Sequence, residues 1–173
     1  VTAYCFASEI KARKVLIVTN RPANADSWYT DFKKFDFKDA GQQDGKFRWI
    51  FTSSDSVKRR LGNPDDIFTR DDQLANPNLT EKNIVHFISL QDIKGRAKGV
   101  EEFKDKNKWI FQLDWDLVII DESHEGTDTP KAFRMFENVN NNFTLFLSGT
   151  PFKALASNKF SSKQIYNWSY TDE

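Results

Sequence analysis

"WDLVIIDESHEGTDTP", residues 115–130, decides how the rest of the chain is read. Leu117, Val118, Ile119 and Ile120 run on without polar alternation, the pattern of a strand covered on both faces in a parallel sheet. Directly behind them come four carboxylates in eight residues: Asp121, Glu122, Glu125 and Asp128. Like charges that close repel one another unless water or a cation screens them. In open α/β sheets ligands bind beyond the carboxyl ends of the strands, which is where these acids fall. One carboxylate there suits magnesium, held through bound water, and a second can polarise an attacking water. From these residues alone, a buried strand ending in a solvated acidic turn is an equally good reading.

Working outward, four more segments have strand character: "KVLIVT" (14–19), "FRWIFT" (47–52), "IVHFISL" (84–90) and "FTLFLS" (143–148), each short and rich in β-branched or aromatic residues. Helical patterns lie between them. Ala25, Trp28, Tyr29, Phe32 and Phe35 form one apolar stripe at helical spacing. Pro130 suits the first turn of a helix capped by Thr129, with Phe133, Phe136 and Val139 facing inward. "TAYCFASEIKA" (2–12) is apolar on more than one side, as a helix tucked against a sheet would be. Alternation of strand and helix implies right-handed crossovers and an α/β fold with a mainly parallel, doubly wound sheet. Residues 53–83 are polar and carry two prolines, and predict an irregular insert with one short helix around Val57–Leu61.

The bulk numbers exclude several classes. A chain of 173 residues is the size of one domain, and 39% apolar with 14% aromatic residues argues against disorder. Lys plus Arg and Asp plus Glu are 25 each, so no domain-wide basic field points to nucleic acid and any such partner must rest on local motifs. No apolar stretch approaches the ~20 residues that span a bilayer. Cys5 is the single cysteine, which forbids an internal disulfide and favours a reducing, intracellular compartment. The chain begins at Val1 and its one methionine is Met135, so it is expected to be a piece of a longer protein.

The order of residues in "LVIIDESH" (117–124) resembles the Walker B box, or motif II, of superfamily 2 helicases and translocases. That resemblance implies that Asp121 holds magnesium, Glu122 activates water, and His124 links the nucleotide site to the nucleic-acid site. "LFLSGTP" (145–151) ends another hydrophobic strand in a small polar turn. Gly149 permits backbone angles other residues avoid, Pro151 stops the strand, and the hydroxyls of Ser148 and Thr150 can hydrogen-bond to the neighbouring acidic loop. Following "DESH" and separated from it by one helix, this turn resembles motif III of the same superfamily, which couples ATP hydrolysis to movement.

"VLIVTNRP" (15–22) is similar to motif Ia, which makes Thr19, Asn20 and Arg21 candidate contacts to a nucleic-acid backbone. "FISLQDI" (87–93) sits where motif Ib or its neighbour would be, adding Ser89 and Gln91. "LSGTPFKAL" (147–155) followed by "FSSKQIYNWSYTDE" (160–173) looks like the helicase subunit of type III restriction enzymes and related restriction-linked helicases. The resemblance implies a RecA-like, P-loop NTPase sheet over residues 1–173, covering motifs Ia to III of a first motor domain. It implies ATP and Mg2+ as cofactors in the full-length parent, and double-stranded DNA as partner. A second RecA-like domain and a nuclease domain of the same parent chain are implied too, with a methyltransferase subunit alongside, in the bacterial cytoplasm and without a membrane.

One part is missing. No Walker A loop, G-x-x-x-x-G-K-[ST], occurs in the sequence, so the backbone amides and lysine that cradle the β and γ phosphates are not supplied. "VTAYCFASEI" reads as the helix such a loop runs into, which would place the loop and its strand before Val1. Lacking also an arginine finger, worth roughly 10³–10⁵ in turnover, the isolated chain is expected to be inactive. Two other classes stay open. A metal-dependent nuclease could be built from Pro64-Asp65 with Glu102-Phe103-Lys104, and a non-catalytic nucleic-acid or protein-binding module could use local basic groups such as Lys58, Arg59 and Arg60.

Overall fold

The computed structural model describes residues 2–35, 49–93, 107–121, 139–149 and 160–166. Six strands form one sheet: β1 (Lys14–Thr19), β2 (Trp49–Ser53), β3 (Ile67–Phe68), β4 (Asn83–Ser89), β5 (Trp115–Asp121) and β6 (Asn141–Phe146). Their order across the sheet is β3-β2-β4-β1-β5-β6, and every pairing is parallel. The five strands read from the sequence are all present, within two residues of the expected bounds; β3 is the addition.

Both faces of the sheet are covered, which is why its central strands carry no polar alternation. Val15, Ile17, Phe51, Val85, Phe87, Leu117 and Ile119 point to one face. There they meet α1 (Thr2–Glu9), α2 (Ala25–Lys34) and α3 (Asp55–Arg60) through Tyr4, Ala7, Ala25, Tyr29 and Val57. Leu16, Val18, Ile50, Ile84, Ile88, Val118 and Ile120 point to the other. Leu79 of α5 (Pro77–Thr80), Leu90 and Ile93 of α6 (Leu90–Ile93) and Ile110 of α7 (Lys108–Gln112) close it. Each such side chain, fully buried, contributes about 1.5–3 kcal/mol.

The crossovers from β1 through β5 share one hand. From β1 the chain moves one way, to β2 and β3, with its helices on the first face; from β3 it returns past β2 to β4 and on to β5, with its helices on the second. Opposite directions on opposite faces give the same right-handed crossover.

His86, in the middle of β4, packs into the second core. Its Nδ1 shares a 2.8 Å hydrogen bond with Thr52 Oγ1, and its ring meets Trp109 edge-on at 4.8 Å. Arg70 lies over the other partner of that contact, 4.6 Å from the Trp109 ring. Burial, with a smaller push from the Arg70 charge, lowers the imidazole to about 3, so His86 is a neutral core residue.

Two expectations change. Residues 53–83 are ordered by local caps rather than irregular: α3 is capped by Ser54, α4 (Arg70–Ala75) by a reciprocal box between Thr69 and Asp72, and α5 by Asn76 with Pro77 in its first turn. The backbone amide of Thr69 is the main reason the Asp72 carboxyl titrates below its ordinary range. The sheet has six strands rather than the five read from the sequence, and its edge strand β6, with β5 its one neighbour among the described residues, is mostly exposed, Phe143 at 50%. The helix expected from Pro130 lies outside the described residues.

Candidate functional site

A crevice forms at the carboxyl edge of a parallel sheet where neighbouring strands send their connections in opposite directions. Here that pair is β1 and β5: β1 leads away to β2 on one side, and β5 leads to β6 on the other. Thr19, the last residue of β1, is in register with Asp121, the last residue of β5, and on its other side with Ser89, the last of β4. Three strand ends thus bring Ser89, Thr19 and Asp121 into one row. The β5–β6 ladder continues past the strand, with Leu147 N donating to Ile120 O at 2.9 Å. Ser148 therefore adjoins the exit of β5, at the same rim as Asp121. Asp121 and Ser148 thus share one edge of the sheet.

Asp121 is half-buried and tightly held. Its Oδ2 accepts hydrogen bonds from Asn24 Nδ2 at 3.0 Å and from Trp28 Nε1 at 2.9 Å. Both donors are neutral, so they orient the carboxylate without neutralising it. Asn24 stands at the N-cap position of α2, yet its side chain makes no cap; the amide reaches across to β5 instead. Trp28 follows one helical turn later, on the same side of α2. Its ring is met edge-on by Tyr4 at 5.5 Å, and its carbonyl accepts from the Tyr4 hydroxyl at 2.9 Å. Burial first, and the charge of Asp31 second, keep that phenol protonated well above its ordinary range.

The hydroxyls read as contacts have local work. Thr19 is 1% exposed, and its Oγ1 accepts from Arg21 N at 3.1 Å, tightening the turn that leads into α2. Ser89 is fully buried and caps α6: its Oγ accepts from Asp92 N at 3.1 Å and donates to Asp92 Oδ2 at 2.9 Å. Arg21 and Gln91 are exposed and Asn20 is half-exposed, all at the same edge. The Arg60 guanidinium of α3 donates to the Pro22 carbonyl, which brings a second arginine beside the Arg21 turn. Gly149 is exposed, lies outside the left-handed region, and a Cβ there would meet nothing, so its turn has no need of glycine's freedom. Glu122, His124 and Thr150 lie outside the described residues, as do Glu102 and Lys104; Asp65 is exposed in the turn before β3.

Among the described residues no group of three or more His, Cys, Asp or Glu could hold a metal ion. A single strand-end carboxylate among hydroxyls nevertheless fits magnesium, which keeps several of its waters and takes one or two carboxylates. No helix among those residues is long and apolar enough to cross a membrane.

Neither Asn24 nor Trp28 was picked out by the sequence, where Trp28 reads as part of an apolar stripe. The available signal was a good capping residue and an indole four positions apart, directly behind a candidate contact turn.

A family model described as "Type III restriction enzyme, res subunit" matches residues 1–153. A relative from Mycoplasma pneumoniae, described as the C-terminus of a proposed type II restriction enzyme and methyltransferase, is 26% identical across 99% of this chain. The chain spans 26% of that relative's length. No solved structure gives a significant match.

Proposed function

The chain belongs to the family of type III restriction enzyme res subunits, and from that premise we propose that it is the first motor domain of an ATP-dependent helicase or translocase acting on double-stranded DNA. The six-stranded parallel sheet with helices on both faces is RecA-like, and the family ties it to restriction. The observation that carries the proposal is the register at the carboxyl edge, where Thr19 pairs with Asp121 and the ladder runs on to set Ser148 beside them.

In this reading Asp121 holds the divalent cation, through water, and Glu122 takes the proton from the attacking water. The cation, when bound, offsets the negative charge of the transferring phosphoryl group. His124, Ser148 and Thr150 transmit the state of that site to the DNA side. Arg21, with Asn20 and Gln91, faces the DNA backbone. Thr19 and Ser89 act through the turns they fix, Thr19 by setting the Arg21 amide and Ser89 by anchoring the start of α6 ahead of Gln91. Contacts of this kind position a duplex without reading its sequence. The phosphate-cradling loop, an arginine finger, a second RecA-like domain, a nuclease domain and a methyltransferase partner belong to the larger assembly, which we place in the bacterial cytoplasm. The 173-residue chain carries no Walker A loop, and alone it is inactive.

The test is ATP hydrolysis by the longer protein containing this chain, with and without linear double-stranded DNA. DNA-stimulated turnover that falls about 10²–10⁴-fold in Glu122→Gln supports the proposal. Turnover indifferent to that substitution, or hydrolysis by the 173-residue chain itself, overturns it.

A further inference from the structure

Resting on the reading of Asp121 as the cation-holding carboxylate, we propose that Asn24 and Trp28 are positioning residues for it. They pin Oδ2 and so present Oδ1 to the cation. The two donors converge on the same oxygen, at 3.0 and 2.9 Å, from successive turns of one helix. A carboxylate at the end of a strand rotates freely unless something outside the strand holds it; two convergent donors remove that freedom before a ligand arrives.

The surroundings show that this is more than a surface hydrogen bond. Asn24 has helical backbone at the end of the 3-10 turn that runs into α2, so its side chain is not needed as a cap and is available to Asp121. Its side-chain orientation follows from chemistry, because only the NH₂ end of the amide can face a carboxylate oxygen. Trp28 is itself fixed, ring and carbonyl, by Tyr4 of α1, so the chain of contacts runs from α1 through α2 to the end of β5. A 3-10 turn over Pro22–Asn24 joins Arg21 to the start of the same helix at Ala25.

Groups that orient a metal-holding side chain typically change metal affinity about 10–100-fold when removed. Mn2+ serves as the probe on the full chain, its affinity read by electron paramagnetic resonance and its position by line broadening of 15N-labelled tryptophan indoles. In the wild type, Mn2+ is expected to broaden the Trp28 indole signal, identified by its loss in Trp28→Phe. The Trp115 indole, which donates to the Ile110 carbonyl inside the second core, is the internal reference. Asn24→Ala and Trp28→Phe are each expected to weaken Mn2+ about tenfold, with far-UV circular dichroism unchanged. Asn24→Asp, which faces Asp121 with a like charge, is expected to weaken it further.

The two ways of failing are distinct. Absence of Mn2+ binding in the wild type, or binding that Asp121→Ala leaves intact, defeats the reading of Asp121 and the positioning roles with it. Binding that Asp121→Ala abolishes but Asn24→Ala and Trp28→Phe do not weaken defeats the positioning roles alone. Should Trp28→Phe unfold the chain, the half-exposed Asn24 decides the matter by itself.

Discussion

Strand β5 carries an aspartate at each end, and the two are held in opposite ways. At the amino edge, Asp116 Oδ2 accepts from the backbone amides of Arg13 and Lys14 at 2.7 and 2.9 Å. It closes the entry to β1 using donors that cannot move without the sheet. At the carboxyl edge, Asp121 Oδ2 accepts from two side chains of α2, at similar distances. Backbone donors make a carboxylate part of the scaffold; side-chain donors aim it and leave it able to respond. On the proposed function one strand has a structural end at Asp116 and a working end at Asp121, and hydrogen-bond length does not distinguish them. The identity of the donors does.

Activity should separate the two ends most sharply. In the longer protein, Asp121→Ala is expected to lower ATP turnover about 10²-fold or more, because a cation's charge stabilisation is worth several kcal/mol. Asp116→Ala should leave turnover unchanged once the protein is folded. Equal losses at both positions in a steady-state assay would erase the distinction.

The centre of the sheet supplies a control in pH. His86 titrates near 3 when folded and about 6.5 when unfolded. The unfolded chain therefore binds the extra proton between those values, and stability is full above pH 6.5 and lost as pH falls towards 3. Urea unfolding should lose about 1.4 kcal/mol per pH unit from 6.5 to 5, before ordinary carboxylates protonate. His86→Phe should flatten that slope, and a slope that survives in the variant places the sensitivity at the edges instead.

Stability should reverse the ranking seen in activity. Asp116→Ala takes the acceptor from two backbone amides, one exposed and one part-buried, which cannot turn away as side chains can, and is expected to cost about 1 kcal/mol. The midpoint in urea should fall while the slope with denaturant is retained. Asp121→Ala should cost less, since Asn24 and the Trp28 indole are half-exposed and can turn to water. A larger loss at 121 than at 116 would mean that the working end also carries the fold. A comparable effect is expected far from both ends: Thr69→Ala removes half of a capping box and should cost about 1 kcal/mol, read from the thermal midpoint.

Legibility followed the same division. β1 and β5 were visible as unbroken apolar runs because a strand buried on both faces leaves no polar position to confuse the pattern. The acids and hydroxyls at their ends were visible because strand ends in such sheets are where side chains turn outward. Within residues 53–83 the short helix expected around Val57–Leu61 is α3, but α4 and α5 escaped the reading for the converse reason: they are six and four residues long and stand on caps at Thr69 and Asn76. Polar capping residues look like loop when no apolar stripe accompanies them. The 50% exposure of Phe143 depends on which strand lies beside β6, and composition does not record that.

The sequence by itself determined the alternation of strand and helix, the two-sided burial of the sheet and the family resemblance. All of these follow from residue type and spacing along one dimension. Tertiary structure alone decided that β1 lies between β4 and β5, and that Thr19 and Asp121 share a register. It also decided that an asparagine and a tryptophan of α2 grip an aspartate about a hundred residues away. Such contacts join side chains that are neighbours only after the crossovers have wound the sheet, and no local pattern encodes which oxygen a distant donor will find.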